Sequence, residues 1–173
     1  MDDLINRRLF LVGPGALLVL SGCSVTTTLA PIETGNSADA TEAALPVVNG
    51  LRRKKGLSSL FNDPVAANAA KDQALRMARY GKMSHQLGSD KDFLARMKRL
   101  DVPLPAAENI ATGQDTTEEA VTAWIRSKKH LDNMLGPYSG LGVAVASNTG
   151  AGGRTYWAMV LSNTPSRFSF IRS

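Results

Sequence analysis

The chain has 173 residues, 43% of them hydrophobic, 20% charged and 6% aromatic, which supplies one core of ordinary size plus an extension and excludes two large domains. Its formal charge of +5 comes from 20 Lys and Arg against 15 Asp and Glu. With no basic stripe interleaved with aromatics, that surplus suits solubility and anionic surfaces and gives no ground for nucleic-acid binding. The single cysteine rules out an internal disulfide, so the fold must hold by packing alone.

Residues 1–22 read as a targeting segment. Arg7 and Arg8 give it a positive start, Leu9 through Leu20 an apolar stretch interrupted by Gly13-Pro14-Gly15, and Leu20-Ser21-Gly22-Cys23 an end. A membrane-spanning helix needs about 20 apolar residues, so the stretch is a leader rather than a span. Leu-Ser-Gly-Cys is similar to the bacterial lipobox, which implies lipidation at Cys23 after cleavage before it. An uncleaved signal peptide with an incidental cysteine is the other reading. Asn6-Arg7-Arg8-Leu9-Phe10-Leu11 also resembles a twin-arginine export signal, with ordinary Sec export the equal alternative. The lipobox resemblance implies an exported protein attached to the membrane of the bacterial cell envelope through Cys23. Ser24 in place of an acidic residue points to the periplasmic face of an outer membrane where one exists. Residues 23–43 then read as the lipidated cysteine and a flexible Thr/Ser/Ala tether.

Helical periodicity begins beyond the tether. A first helix from about Ala43 to Lys55 is marked on one face by Leu45, Val48 and Leu51 to Arg52 and stops at Gly56. The basic run Arg52-Arg53-Lys54-Lys55 at its end reads as a solvated face. Asn62-Asp63-Pro64 caps a second helix through about Tyr80, whose Ala66, Ala69, Ala70 and Ala74 form a small-residue face able to approach a neighbour closely. A third helix opens at Ser89-Asp90, spaces Phe93, Leu94, Met97 and Leu100 helically and ends before Pro103. The fourth opens with a Thr116/Glu119 capping box and turns Ala120, Val121, Trp124 and Ile125 inward. Beyond it the period changes. Leu141 to Ala146 alternates with glycine and alanine, Thr155 to Leu161 is rich in strand formers, and Asn148 to Gly153 forms a hairpin-type loop. Helices followed by a terminal antiparallel pair predict an α+β domain.

Both histidines lie at breaks in this pattern, His85 after the second helix and His130 after the fourth, with Glu108 between them in an irregular Pro-Ala-Ala-Glu-Asn-Ile segment. If they converge, two imidazoles and a carboxylate can hold a divalent cation such as zinc or magnesium, or act as base and acid around a polar substrate. Their separation matches no local metal motif, and each histidine alone also fits a hydrogen-bonded loop or core position. Ser84 and Ser127 could be paired with the neighbouring histidines, but neither sits in a serine-hydrolase elbow. Glu108 could instead pair with His130 or Arg52 to lock the core, and Asn109 could hold a turn. Trp124 reads as core, and Met77, Met97 and Met134 as gap fillers or the walls of a lipid cleft.

Six groups of residues succeed one another in the order of the CAP superfamily, or SCP domain. They are Asn49-x-x-Arg52, Gly56-Leu57-x-x-Leu60, the alanine-rich helix ending at Ser84-His85, Glu108-Asn109-Ile110, Trp124-x-x-Ser127-x-x-His130-x-x-Asn133-Met134, and Gly140-x-Gly142-Val143 with Tyr156-Trp157. The chain resembles a bacterial envelope member of that superfamily over about Leu45 to Thr164. The resemblance implies an α-β-α sandwich with a central antiparallel sheet over 44–165, a strand near Glu108 to Ala111, and a C-terminal tail at 166–173. It further implies a cleft in which His85, Glu108 and His130 stand for the family's first histidine, first glutamate and second histidine. Ser127 stands where the second glutamate belongs, and Ala107 replaces the glycine before Glu108. The loss of that carboxylate removes one negative charge from a cation site. The function so implied is that of a binding module for a divalent metal or for a lipid-like or envelope ligand, with no residue firmly assigned to catalysis. The alternatives are a metal-dependent hydrolase using His85, Glu108 and His130, and a purely structural hydrogen-bond network. No motif fixes the ligand or the oligomeric state.

Overall fold

The structure is a computed structural model and describes residues 37–90, 92–148 and 152–165. The leader at 1–22, Cys23 with the tether up to residue 36, residues 149–151 of the hairpin loop and the tail at 166–173 lie outside the described residues. Among the described residues the elements run in the order β1 (Ser37–Asp39), α1 (Thr41–Lys54), β2 (Phe61–Asn62), α2 (Pro64–Tyr80), α3 (Phe93–Arg99), β3 (Ala107–Thr112), α4 (Thr117–Arg126), α5 (Lys128–Met134), β4 (Gly140–Asn148) and β5 (Arg154–Ser162). The sheet has the path β1-β4-β5-β3, antiparallel throughout, and β2 adds a short parallel pairing beside Gly140 and Leu141 of β4. Helices cover both faces, so the fold is the expected α-β-α sandwich. Among the described residues no helix is long and apolar enough to cross a membrane.

The alternation along β4 decides which helices lie where, because successive strand side chains point to opposite faces. Leu141, Val143 and Val145, with Trp157, Met159 and Leu161 of β5, pack against Ala44 and Val48 of α1 and Val121 and Trp124 of α4. Ala144 and Ala146, with Tyr156, Ala158 and Val160, pack against Ala66, Ala70, Ala74 and Met77 of α2. The small residues of β4 thus lie beneath the small face of α2. Contact is so close at Gly142 that a Cβ there would fall on the backbone of Ala66 and Ala67. Glycine is required at this position by proximity, not by backbone conformation.

Several local expectations change. The folded part reaches back to Ser37, inside the stretch read as tether. Thr41, the first residue of α1, is buried and its hydroxyl both donates to the Val143 carbonyl and accepts from the Val143 amide. A strand as short as Ser37–Asp39 has too few residues to carry a period. The third helix opens at Asp92, whose side chain accepts from the Ala95 amide at 2.8 Å, because Asp90 is engaged by Arg76 and Arg99. Leu94 is exposed. At α4, Thr116 accepts from the Glu119 amide at 3.2 Å, but the Glu119 carboxylate takes the amide of Asp115 instead of completing the box. The basic run is only partly solvated. Arg52 is buried and donates to the carbonyls of Ser58, Met134, Gly136 and Tyr138, so it ties the end of α1 to the turn before β4 and is far from pairing with Glu108.

Candidate functional site

The site lies at β3, which ends the path β1-β4-β5-β3 and pairs, among the described residues, with β5 alone. Its alternation sends Glu108 and Ile110 to the side of α2 and α3, and Ala107, Asn109 and Ala111 to the side of α4 and α5. Glu108 is buried, and its partner is a residue that sequence patterning did not single out. Nη2 of Arg96 donates to both Glu108 carboxylate oxygens at 3.0 Å and to the His85 carbonyl at 3.4 Å. The Arg96 guanidinium also stacks on Phe93, 5.7 Å from the ring centroid, a cation–π contact. Its Nε and Nη1 are buried and find no acceptor among the described residues. The signal for Arg96 was present, since helical spacing puts it on the face of α3 shared with Phe93, Met97 and Leu100.

His85 follows α2, which ends at Gly81 in the left-handed conformation that glycine adopts without strain. Gln73 fastens the returning chain by donating from Nε2 to the Ser84 carbonyl at 2.7 Å. The His85 Nδ1 lies 2.9 Å from Glu108 Oε1. A carboxylate can only accept, so Nδ1 carries the proton of this bond and Nε2 is the ring nitrogen left to other partners. The His85 side chain is 43% exposed while Glu108 retains 2% and Arg96 none. The imidazole is therefore a surface group braced from behind by a buried ion pair.

His130 comes from α5, a helix where the sequence pattern shows only a break. Asn109 donates from Nδ2 to the His130 carbonyl at 3.0 Å and accepts from Asn133 Nδ2 at 2.8 Å. These two asparagines pin α5 along β3, which is the local job of the Glu-Asn dipeptide: Glu108 serves one face of the strand and Asn109 the other. His130 and His85 line one solvent-open cleft of about 400 Å³ together with Met83, Ser84, Gln86 and Ile110. Burial pushes the His130 imidazole below its ordinary value of 6.5, and the facing His85 and the adjacent Lys129 push it the same way. Ser127 is the joint between α4 and α5 and does not line this cleft. Ser84 lines it without a hydrogen bond to either histidine, its hydroxyl being turned to the backbone of Gln86.

These residues do not fit a divalent cation. Zinc or magnesium requires free oxygen lone pairs at close range, whereas both Glu108 oxygens already accept from a guanidinium whose charge would repel the ion. Among the described residues no group of three His, Cys, Asp or Glu is placed to hold a metal. The arrangement supports hydrogen bonding through the imidazoles.

The comparisons with known proteins agree with this geometry at the level of the fold. Residues 45–161 match the model of the cysteine-rich secretory protein family, CAP. The chain is 34% identical over 114 residues to the protein YkwD of Bacillus subtilis (strain 168), covering 65% of this chain and 43% of that protein. Its fold matches an extracellular protein containing an SCP domain from Bacillus anthracis str. Ames with a TM-score of 0.62 at 22% identity, over 72% of this chain and 40% of that one. It also matches an outer surface protein of Borrelia burgdorferi with a TM-score of 0.64 at 18% identity, over 76% of this chain and 99% of that one. The chain thus spans less than half of the two Bacillus proteins. By sequence match over most of the described residues, and by fold, the chain belongs to the CAP, or cysteine-rich secretory protein, family.

Proposed function

We propose that this chain is an exported cell-envelope protein, held to the membrane by a lipid at Cys23, whose CAP domain binds a small ligand in the cleft between His85 and His130. The observation that carries the reading is the bracing of a half-exposed His85 by the buried Glu108–Arg96 pair, in one cleft with His130, whose backbone carbonyl is held by Asn109 and, through it, Asn133. Such preorganised polar groups in a concave site with apolar neighbours, here Met83 and Ile110, are what ligand recognition requires. Export is supported by the leader and by the descriptions of two structural neighbours as an extracellular protein and an outer surface protein. A metal-dependent hydrolase built on His85, Glu108 and His130 draws less support, because both Glu108 oxygens accept from Arg96, whose charge would repel the ion.

The test uses the full chain expressed in a bacterial host. Labelled palmitate should enter the wild type and not Cys23→Ala. Native mass spectrometry of the detergent-extracted protein should show a retained small molecule that His85→Ala and His130→Ala lose while keeping wild-type circular dichroism. An unlabelled wild type removes the anchor, and a molecule retained equally by both variants removes the cleft.

A further inference from the structure

We infer that the cleft takes an uncharged peptide segment in extended form, which joins the sheet by main-chain hydrogen bonds to the outer edge of β3. This rests on the binding reading above and names the class of ligand. The register decides which backbone groups are available. In an antiparallel pair, alternate residues exchange both main-chain bonds with the partner strand, and the residues between them point amide and carbonyl away from it. The Gly113 amide donates to the Thr155 carbonyl at 3.0 Å. With Ala111 opposite Trp157 and Asn109 opposite Met159, the odd-numbered residues of β3 are therefore the ones bonded to β5. Glu108, Ile110 and Thr112 face the outer edge. Glu108 is closed off there, its carbonyl accepting from Asn133 Nδ2 at 3.5 Å. Among the described residues the Ile110 amide and carbonyl meet no partner, although Ile110 is buried and buried main-chain groups are nearly always paired.

The two histidines flank that edge. His85 is held by Glu108, which points to the side of α2 and α3, and the His130 carbonyl by Asn109, which points to the side of α4 and α5. Ile110 lines the cleft with both of them, so the cleft straddles the plane of the sheet where its edge is unpaired. A strand laid there would exchange two bonds with Ile110 and continue along Thr112. It would send successive side chains alternately toward Met83 and His85 and toward His130. No Lys, Arg, Asp or Glu lines the cleft, so a charged segment would find no counter-charge. A peptide backbone carries a donor and an acceptor at the spacing of the Ile110 pair, which favours a strand over other small ligands.

Amide hydrogen exchange on the full-length protein, followed residue by residue by NMR, reads the edge directly. Without ligand, the Ile110 amide should exchange at least about a hundredfold faster than those of Asn109 and Ala111, which β5 protects. An Ile110 amide as slow as these two means that the edge is already covered, by a second copy or by the chain itself, and overturns the proposal. The probe is a library of acetylated, amidated pentapeptides built from Ser, Thr, Asn, Val and Leu. At saturation its tightest binder should slow Ile110 exchange about tenfold or more and change Asn109 and Ala111 less than about twofold. Methylating the backbone nitrogens of that peptide one at a time separates pairing from side-chain capture. Affinity should fall about tenfold at alternate nitrogens, where a bond to the β3 edge is lost, and hold within about twofold at those between. Peptides that bind without this alternation overturn the strand assignment and leave the binding cleft standing. The same holds if no peptide binds while His85→Ala and His130→Ala still release a retained small molecule. With neither a bound peptide nor a retained molecule, both readings fall.

Discussion

One nitrogen of Arg96, Nη2, lies 3.0 Å from each carboxylate oxygen of Glu108, and neither side chain keeps more than 2% of its surface in solvent. A buried pair of this kind is more costly to break than to replace, because a lone buried charge has lost both water and partner. Arg96→Met should therefore destabilise the domain by about 3–5 kcal/mol, read from the urea midpoint. Adding Glu108→Gln should restore part of that, so the double variant loses less than the sum of the two single ones. Strict additivity would show that the two groups are energetically independent, and His85 would then have no ion pair behind it.

The contact beneath α2 makes a sharper structural prediction. Gly142→Ala adds one methyl group onto the backbone of Ala66 and Ala67, which no rotamer change can relieve. Overpacking of this kind typically costs about 1–3 kcal/mol and occasionally more. The upper end is expected here because helix backbone must move. The same substitution at Gly152, which has open space around it but a positive φ of 72°, should cost about 1 kcal/mol from conformation alone. Thermal unfolding of the two variants gives the ranking, and an equal loss at both positions would refute close approach as the reason for Gly142.

These two sites mark what the sequence could and could not disclose. The alternation of Gly142, Ala144 and Ala146 with Val143 and Val145 was readable as a strand because both faces are buried and the helix-facing one must be small. The cap at Asp63 and the stop at Gly56 were readable because terminal backbone groups demand specific partners. β1 and β2 were not, being too short to display a period. Helical spacing puts Arg52 and Arg96 on apolar faces, but a charged side chain there reads as solvated, and only the tertiary fold reveals the carbonyls or carboxylate that make the burial tolerable. The meeting of His85 with Glu108 was likewise invisible to spacing and entered through the family resemblance. The break at His130 hides α5, because a helix this short, starting directly after Ser127, shows barely two turns of pattern.

Acidification should weaken the domain through His130. Its folded-state value is lowered by burial, by His85 and by Lys129, so in the unfolded chain it takes up a proton at a higher pH than in the folded one. The stability this contributes is complete above the ordinary value of 6.5 and is lost as pH falls from there toward the folded value. Asp90 titrates in a separate window. The hydrogen bond from Arg76, aided by Arg99, holds it at about 2 against an ordinary 3.8, so its contribution disappears only between those values. Urea midpoints between pH 7.5 and 5.5 should therefore fall for the wild type and fall less for His130→Gln. Identical slopes for the two proteins would exclude His130 as the source.

Divalent metals should leave the melting temperature where it is. A ligand that binds only the folded state and is present at 100 times its dissociation constant adds about 2.7 kcal/mol, which in a domain of this size is a rise of roughly 5–15 °C. Zinc or magnesium added to the chelator-treated protein should produce no such rise, because Arg96 occupies both oxygens of Glu108. Restoring the family's second carboxylate with Ser127→Glu should not change this, since Ser127 lies outside the cleft lining and the guanidinium stays in place. Arg96→Gln is the variant expected to begin responding to zinc, through His85 and a Glu108 relieved of its cation. A metal-dependent rise in the wild type that His130→Ala abolishes would mean that the guanidinium yields to the ion, and that this cleft is a cation site after all.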